Sequence, residues 1–240
     1  MADELVLMYH SVEPYTSDPF RVTVRPERFG RQMRWLRRNG LRGVSMRDLL
    51  SAREAGTGAH DAGTGARLVG LTFDDGYADF ATYVAPILAR CGFTATVFVL
   101  AGLLSGHNAW DQPGPRKELL TADDVRRVAD SGMEIASHGL HHLALPDLDE
   151  ATLAEEVGRS RETLTRLVGQ DVTGFCYPYG KVGTREVNAV RAAGYSYACA
   201  VHPSTLDARY AIRRTYVGDR DGAARLYAKW LRHRMSGGAR

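Results

Sequence analysis

The sequence predicts an α/β fold in which one domain, residues 1–240, forms a closed or nearly closed barrel of βα units. Three observations carry that prediction. Short apolar runs alternate with longer amphipathic stretches along the chain, a pattern that implies a mostly parallel sheet with helical crossovers. The 240 residues are enough for one sizeable core and too few for two. A complete eight-unit barrel takes ~250 residues, so this one is expected to be short by a unit or distorted.

Strands are expected over residues 5–9, 43–45, 68–73, 94–100, 134–136, 172–177, 197–201 and 212–217. Helical patterns cover 26–39, 46–54, 81–91, 122–131, 148–167, 185–193 and 222–234. The punctuation agrees with these ranges. Pro26 suits a first helical position, Ser45 and Thr121 suit N-caps, and Gly40, Gly92, Gly132, Gly169 and Gly194 each follow a helix as stops. Residues 55–67 repeat Ala-Gly-Thr-Gly-Ala, at 55–59 and 62–66, which reads as a flexible surface loop.

Composition excludes several classes. With 44% hydrophobic and 25% charged residues, the chain is neither disordered nor fibrous. No apolar run approaches the ~20 residues of a membrane span. The net charge of +3 is small, and much of the excess sits in the basic C-terminal helix near Lys229, Arg232, His233 and Arg234. That is a solvated helix end, and no nucleic-acid partner is expected. Cys91, Cys176 and Cys199 are odd in number and widely spaced, as reduced core residues are. The N-terminus runs from Met-Ala-Asp-Glu straight into Leu5, without the basic and long apolar regions of an export leader. The expectation is a cytoplasmic protein, the alternative a secreted one whose leader has been removed.

In βα barrels, functional residues gather where strands end and loops begin. Three strand ends carry unusual polar residues. Asp74-Asp75-Gly76 closes the strand from residue 68. One Asp-Gly would be a turn, but two adjacent inward carboxylates repel unless a cation or proton intervenes. One can ligate a metal while its neighbour faces the substrate as a base. Ser137-His138-Gly139-Leu140-His141-His142 follows the strand over 134–136 and holds three of the eight histidines. A lone histidine there would be a solvated loop residue. His138 and His142 are four apart, so one helical turn would set both imidazoles on one side to share a metal, and His141 could face that way too. Phe175-Cys176-Tyr177-Pro178-Tyr179-Gly180 ends the strand from 172. It is either an aromatic turn or a rigid loop that aims a backbone N–H and an aromatic wall at a substrate.

Together these segments resemble the polysaccharide deacetylase family, which includes chitin, chitooligosaccharide and peptidoglycan deacetylases, in order from Leu5 to about Val217. The resemblance implies a distorted barrel of about seven βα units, TIM-barrel-like, in agreement with the strand pattern. It also implies that Asp74 is the catalytic base, that Asp75, His138 and His142 bind metal, and that the backbone N–H of Tyr179 helps hold the oxyanion. Three departures stand out. Gly139 replaces the usual Ser or Thr that braces the histidine loop. Cys176 stands where an Arg often pairs with the base, a charge that Arg213 or Arg214 would have to supply. No late Leu-x-His segment provides a general acid. Leu7-Met8-Tyr9-His10-Ser11 instead resembles a permuted branch with that histidine on the first strand, the branch of deacetylases of exported N-acetylglucosamine polymers. His10 is therefore the expected acid, with His202 as the weaker candidate.

The expected reaction is hydrolysis of an N-acetyl or other N-acyl group on an amino sugar or oligosaccharide. It would use one divalent ion, zinc as first choice, with cobalt, iron or nickel suited to the same donors. Asn108, Trp110, Asp111 and Tyr177 are the candidate substrate contacts, Trp110 by stacking on a sugar ring. Two rival readings are an amidohydrolase acting on a non-sugar amide and a carbohydrate-binding protein that has lost turnover.

Overall fold

The computed structural model describes residues 4–56, 60–61, 63–201 and 206–237. Eight parallel strands form a nearly closed barrel with helices packed outside it. In chain order the elements begin with β1 (Val6–Tyr9), a short ribbon of β2 (Ser11–Val12) and β3 (Thr23–Val24), then α1 (Pro26–Arg38), β4 (Leu41–Val44) and α2 (Met46–Glu54). They continue with β5 (Arg67–Phe73), α3 (Ala85–Cys91), β6 (Thr96–Val99), α4 (Ala122–Asp130), β7 (Glu134–Ser137) and α5 (Glu150–Val168). The last group is β8 (Gly174–Cys176), α6 (Thr184–Ala192), β9 (Tyr197–Ala200), β10 (Ile212–Arg213), β11 (Thr215–Tyr216) and α7 (Ala223–Gly237). Among the described residues, no helix is long and apolar enough to cross a membrane.

Neighbouring strands run β10-β9-β8-β7-β6-β5-β1-β11, and β4 lies on the first half of β5. The two ends of that order are one stretch of chain. The strand expected over 212–217 is in fact broken at Arg214: Ile212 and Arg213 pair with β9, whereas Thr215 and Tyr216 pair with β1. That change of partner brings the sheet round on itself. It also buries Arg214 while Arg213 stays exposed.

Local chemistry explains the helix ends. Ser45 Oγ accepts the Asp48 N–H, and Thr121 forms a reciprocal capping box with Asp124. Gly92 and Gly169 end α3 and α5 in the left-handed conformation, each at φ 68°. The helix expected over 81–91 instead opens with a π turn, Phe80–Val84, before α3 begins. Pro86 has no N–H for the α-helical ladder, so the regular helix starts only around it. In the loop expected over 55–67, residues 57–59 and 62 lie outside the described residues. The remainder is a tight turn in which Asp61 accepts the N–H groups of Gly63 and Thr64.

Packing places the strand ends firmly. Behind Asp74, the rings of Tyr9, Phe29, Phe73 and Phe80 pack with centroids 5.0–5.7 Å apart. Aromatic contacts of this kind add about 0.5–1.5 kcal/mol per pair beyond burial. At the β8–β9 pairing, the Tyr197 side chain crosses its partner Gly174 to donate to Glu134 Oε1 at 2.9 Å. A Cβ on residue 174 would stand 2.2 Å from the Tyr197 hydroxyl oxygen. Gly174→Ala should therefore destabilise the fold by about 1–3 kcal/mol through overpacking and a lost buried hydrogen bond. Urea unfolding of the variant checks this, and an unchanged midpoint would contradict it.

Candidate active site

Asp74 and Asp75 follow directly on β5, and both are buried. In an extended strand their side chains would point to opposite faces. Asp75 instead adopts φ 71° and Gly76 φ 69°. Two left-handed residues in succession end the alternation, and Asp tolerates that region better than most side chains.

The histidine loop after β7 is not helical, which corrects the expectation of one helical turn between His138 and His142. Gly139 at φ 88° and His142 at φ 59° fold the chain back instead. The two imidazoles end with ring centroids 5.2 Å apart. His138 Nε2 and His142 Nε2 lie 3.2 and 3.4 Å from the same oxygen, Asp75 Oδ1. His138 Nδ1 sits 2.8 Å from the Cys176 carbonyl, which holds the proton there and leaves Nε2 facing Asp75. The Asp75, His138 and His142 donor atoms all fall within 4.8 Å of one another, and all three residues are buried. One carboxylate and two imidazoles converging from strand ends fit a divalent transition-metal ion.

His141 turns the other way. Its Nδ1 meets Glu156 Oε1 at 2.6 Å, and Glu156 Oε2 accepts the N–H groups of Leu140 and His141. This carboxylate from α5 braces the loop, the part expected of a hydroxyl at position 139. A Cβ on Gly139 would come 3.2 Å from Glu156 Oε2, so the glycine leaves room for that brace. Glu156 shares the helical stripe of Leu153, Val157, Ser160 and Leu164, and a charge inside that apolar stripe was its signal in the sequence.

Asp74 has a different partner. Arg214 donates two bonds to it, Nη1 to Oδ1 at 2.6 Å and Nη2 to Oδ2 at 2.8 Å. Nη2 also lies 3.1 Å from Cys176 Sγ. The missing cation at position 176 thus comes from the last strand, at Arg214 and not Arg213. Burial alone would raise the Asp74 carboxyl, but Arg214 outweighs it and holds the group below the ordinary carboxylate range. Burial also opposes ionisation of Asp75, and the facing imidazoles of His138 and His142 reverse that and keep it well below the usual range. Burial lowers His138, while Asp75 and the charge of Asp74 more than compensate and raise it. The same negative field that draws a proton onto His138 would draw a cation.

His10, just past β1, places Nε2 3.8 Å from Asp74 Oδ2 and is partly exposed. His202 lies outside the described residues. Tyr179 sits in a turn at φ 59°, its half-exposed ring 4.5 Å from that of His142. Trp110 stacks on the same imidazole, its ring centroid 4.4 Å from that of His142. Asp111 accepts the Tyr77 hydroxyl at 3.1 Å and is partly exposed. Two expected sugar contacts lie behind the surface. Asn108 is buried, with Oδ1 accepting the Lys117 N–H and Nδ2 donating to the Pro115 carbonyl, so it shapes the loop. Tyr177 is buried against Phe175 and donates to the Tyr210 carbonyl.

A cluster not foreseen from the sequence anchors the His10 segment. Asp79 Oδ2 accepts Ser11 Oγ–H at 2.6 Å and Oδ1 accepts the Val12 N–H at 2.9 Å. Lys117 donates to Ser11 Oγ at 3.0 Å and pairs with Glu13. No spacing rule joins residues 11, 79 and 117, which meet only when the barrel closes.

Two buried carboxylates, two converging imidazoles and a paired arginine thus meet at the mouth of the βα barrel, and comparison with known proteins names the chain's family. The sequence profile of the polysaccharide deacetylase family matches residues 61–198, and the chain belongs to that family. It is 28% identical over 216 residues to YxkH of Bacillus subtilis (strain 168), spanning 88% of this chain and 70% of that protein. It is 23% identical over 222 residues to the poly-β-1,6-N-acetyl-D-glucosamine N-deacetylase of Staphylococcus aureus (strain MSSA476), spanning 87% of this chain and 72% of the relative. Among solved structures, Streptococcus pyogenes deacetylase PplD shares the fold with a TM-score of 0.78 at 20% identity, covering 94% of this chain and 97% of that one.

Burial raises the Asp79 carboxyl to about 6, above its ordinary 3.8. The folded state thus keeps a proton that the unfolded chain releases, so this group favours folding below about pH 4 and loses that contribution as pH rises through about 6. A gap of about two pH units is worth roughly 3 kcal/mol. Relative to Asp79→Asn, wild type should lose up to ~3 kcal/mol of stability between about pH 4 and pH 7. Paired urea titrations across that range measure it, and a pH-independent difference would contradict it.

Proposed function

We propose that the protein is a metal-dependent hydrolase that removes an acetyl group from the nitrogen of an amino sugar. One observation carries the reading: adjacent buried carboxylates have opposite surroundings, Asp75 with two imidazoles and Asp74 with Arg214 and His10. That is a division of labour between a metal ligand and a general base. Membership in the polysaccharide deacetylase family and the likeness to a named N-acetylglucosamine polymer deacetylase support the reaction class.

Asp75, His138 and His142 would hold the ion, with zinc the first choice and cobalt, iron or nickel suited to the same donors. When bound, such an ion makes water acidic enough to act as a nucleophile near neutral pH and polarises an amide carbonyl. Asp74 takes the proton of the attacking water. Arg214 keeps it ionised and fixes its orientation through two parallel bonds. His10 gives a proton to the departing amine, the part of a general acid. The Tyr179 N–H, carried on a left-handed turn, supports the developing oxyanion. Asp111, Tyr179 and the edge of Trp110 remain as sugar contacts, while Asn108 and Tyr177 act from behind. A non-sugar amide is the alternative substrate.

Mass spectrometry of wild type with N-acetylglucosamine oligomers, N-acetylated monosaccharides and non-sugar amides should show loss of acetyl from a sugar. Turnover confined to a non-sugar amide would overturn the substrate class. Asp74→Asn should lose at least ~100-fold in rate, as removal of a general base does, with metal content unchanged. Near wild-type activity would contradict the base, and loss of metal would make Asp74 a ligand.

His10→Ala should lower amide hydrolysis by about 100-fold or more, the scale of general-acid catalysis, and affect an activated ester much less. A phenolate leaves without the proton that an amine needs. Equal losses on both substrates, measured as kcat/KM, would contradict the assignment.

A further inference from the structure

The two histidines at the proposed metal site are held in different ways. His138 has the usual arrangement for a ligand, its remote nitrogen bonded to a backbone carbonyl 2.8 Å away. His142 does not. Its Nδ1 is buried and has no protein hydrogen-bond partner among the described residues. The ring's one polar contact on the page is Nε2 with Asp75 Oδ1 at 3.4 Å, so no second polar group fixes its rotation from the remote side. Its backbone sits at the costly φ of 59°.

Aromatic contacts surround it instead. The Trp110 indole lies against the imidazole with centroids 4.4 Å apart and planes only 24° from parallel. Tyr179 meets the ring at 4.5 Å and 66°, edge to face. Trp110 is itself well supported. It packs on the cluster of Tyr77, Leu100 and Leu119, together with Leu103. Its neighbour Asp111 is tied to Tyr77, and Asn108 secures the loop through Pro115 and Lys117.

We propose that Trp110 is the positioning residue for His142: the indole face sets the imidazole plane, as the Cys176 carbonyl does for His138. This inference rests on the metal-site reading above and assigns Trp110 to the ion's surroundings before the sugar. An indole flat on an imidazole restricts rotation about the last side-chain bond while leaving Nε2 free to face Asp75. With Nδ1 unpaired, that contact restrains the ring plane where a hydrogen bond does so for His138. The loop that carries Trp110 thereby controls how well the third ligand is aimed.

The test is zinc affinity, measured by competition with a chromophoric chelator on metal-depleted protein, for wild type, Trp110→Ala, Trp110→Phe and Leu103→Ala. Loss of a group that orients a ligand costs about 10–100-fold in metal affinity, so Trp110→Ala should weaken zinc by that factor while Trp110→Phe stays within about threefold. Leu103→Ala loosens the same hydrophobic cluster without removing the ring on His142, and should leave affinity nearly unchanged. If Trp110→Ala does not fold, Trp110→Leu makes the same comparison, since it keeps apolar bulk and removes the flat face. Zinc bound by the Ala or Leu variant as tightly as by wild type would overturn the proposal. So would an equal loss in Leu103→Ala, which would make the effect one of loop packing. A wild type that binds no zinc would instead remove the metal reading itself, and this inference with it.

Discussion

Two carboxylates on consecutive residues, both buried at the end of β5, impose the constraint that organises the barrel mouth. Each must be ionised to do its proposed work, and neither can be so without a separate counter-charge. The structure answers the two needs from different directions. Asp74 receives a bidentate guanidinium from the last strand, and Asp75 receives two imidazoles from the loop after β7. The left-handed turn at Asp75 and Gly76 lets both side chains face this shared space.

Barrel closure and site chemistry meet in one residue. The final strand changes neighbours at Arg214, from β9 to β1, and that break is where its side chain turns in to Asp74. Cys176 leaves room for it, a small thiol against the guanidinium where a second arginine would add an unpaired buried charge. A similar transfer of duty occurs in the histidine loop. The brace lies in Glu156 on α5, which bonds two loop N–H groups and the His141 ring. His141 thus supports the loop from outside while His138 and His142 face inward.

Much of this was legible in the sequence because it is local. Apolar runs, helix caps and glycine stops located the strands and helices, since each depends on a few neighbouring residues. The Asp74-Asp75 pair and the spaced histidines stood out because charged groups after buried strands need a reason. The means by which those histidines converge was not legible, because a four-residue spacing suits a helix and the chain uses two left-handed residues. The choice of Arg214 over Arg213 was also hidden. Alternation along a strand decides such a question, and this strand changes partners at the residue concerned. Trp110 and Asn108 looked alike as polar or aromatic loop residues beside a cleft. Burial separates them, and burial depends on how the loop after β6 folds back over Tyr77 and Leu119.

The account depends on Asp75, His138 and His142 acting as one ligand set beside a base that is not a ligand. The most direct measurement is a zinc titration of metal-depleted protein, following acetate release from N-acetylglucosamine oligomers as equivalents are added. Activity absent at the start and complete at one equivalent per chain, with no recovery in Asp75→Ala, is the predicted result. Full activity without added metal, or recovery of Asp75→Ala at one equivalent, would contradict it.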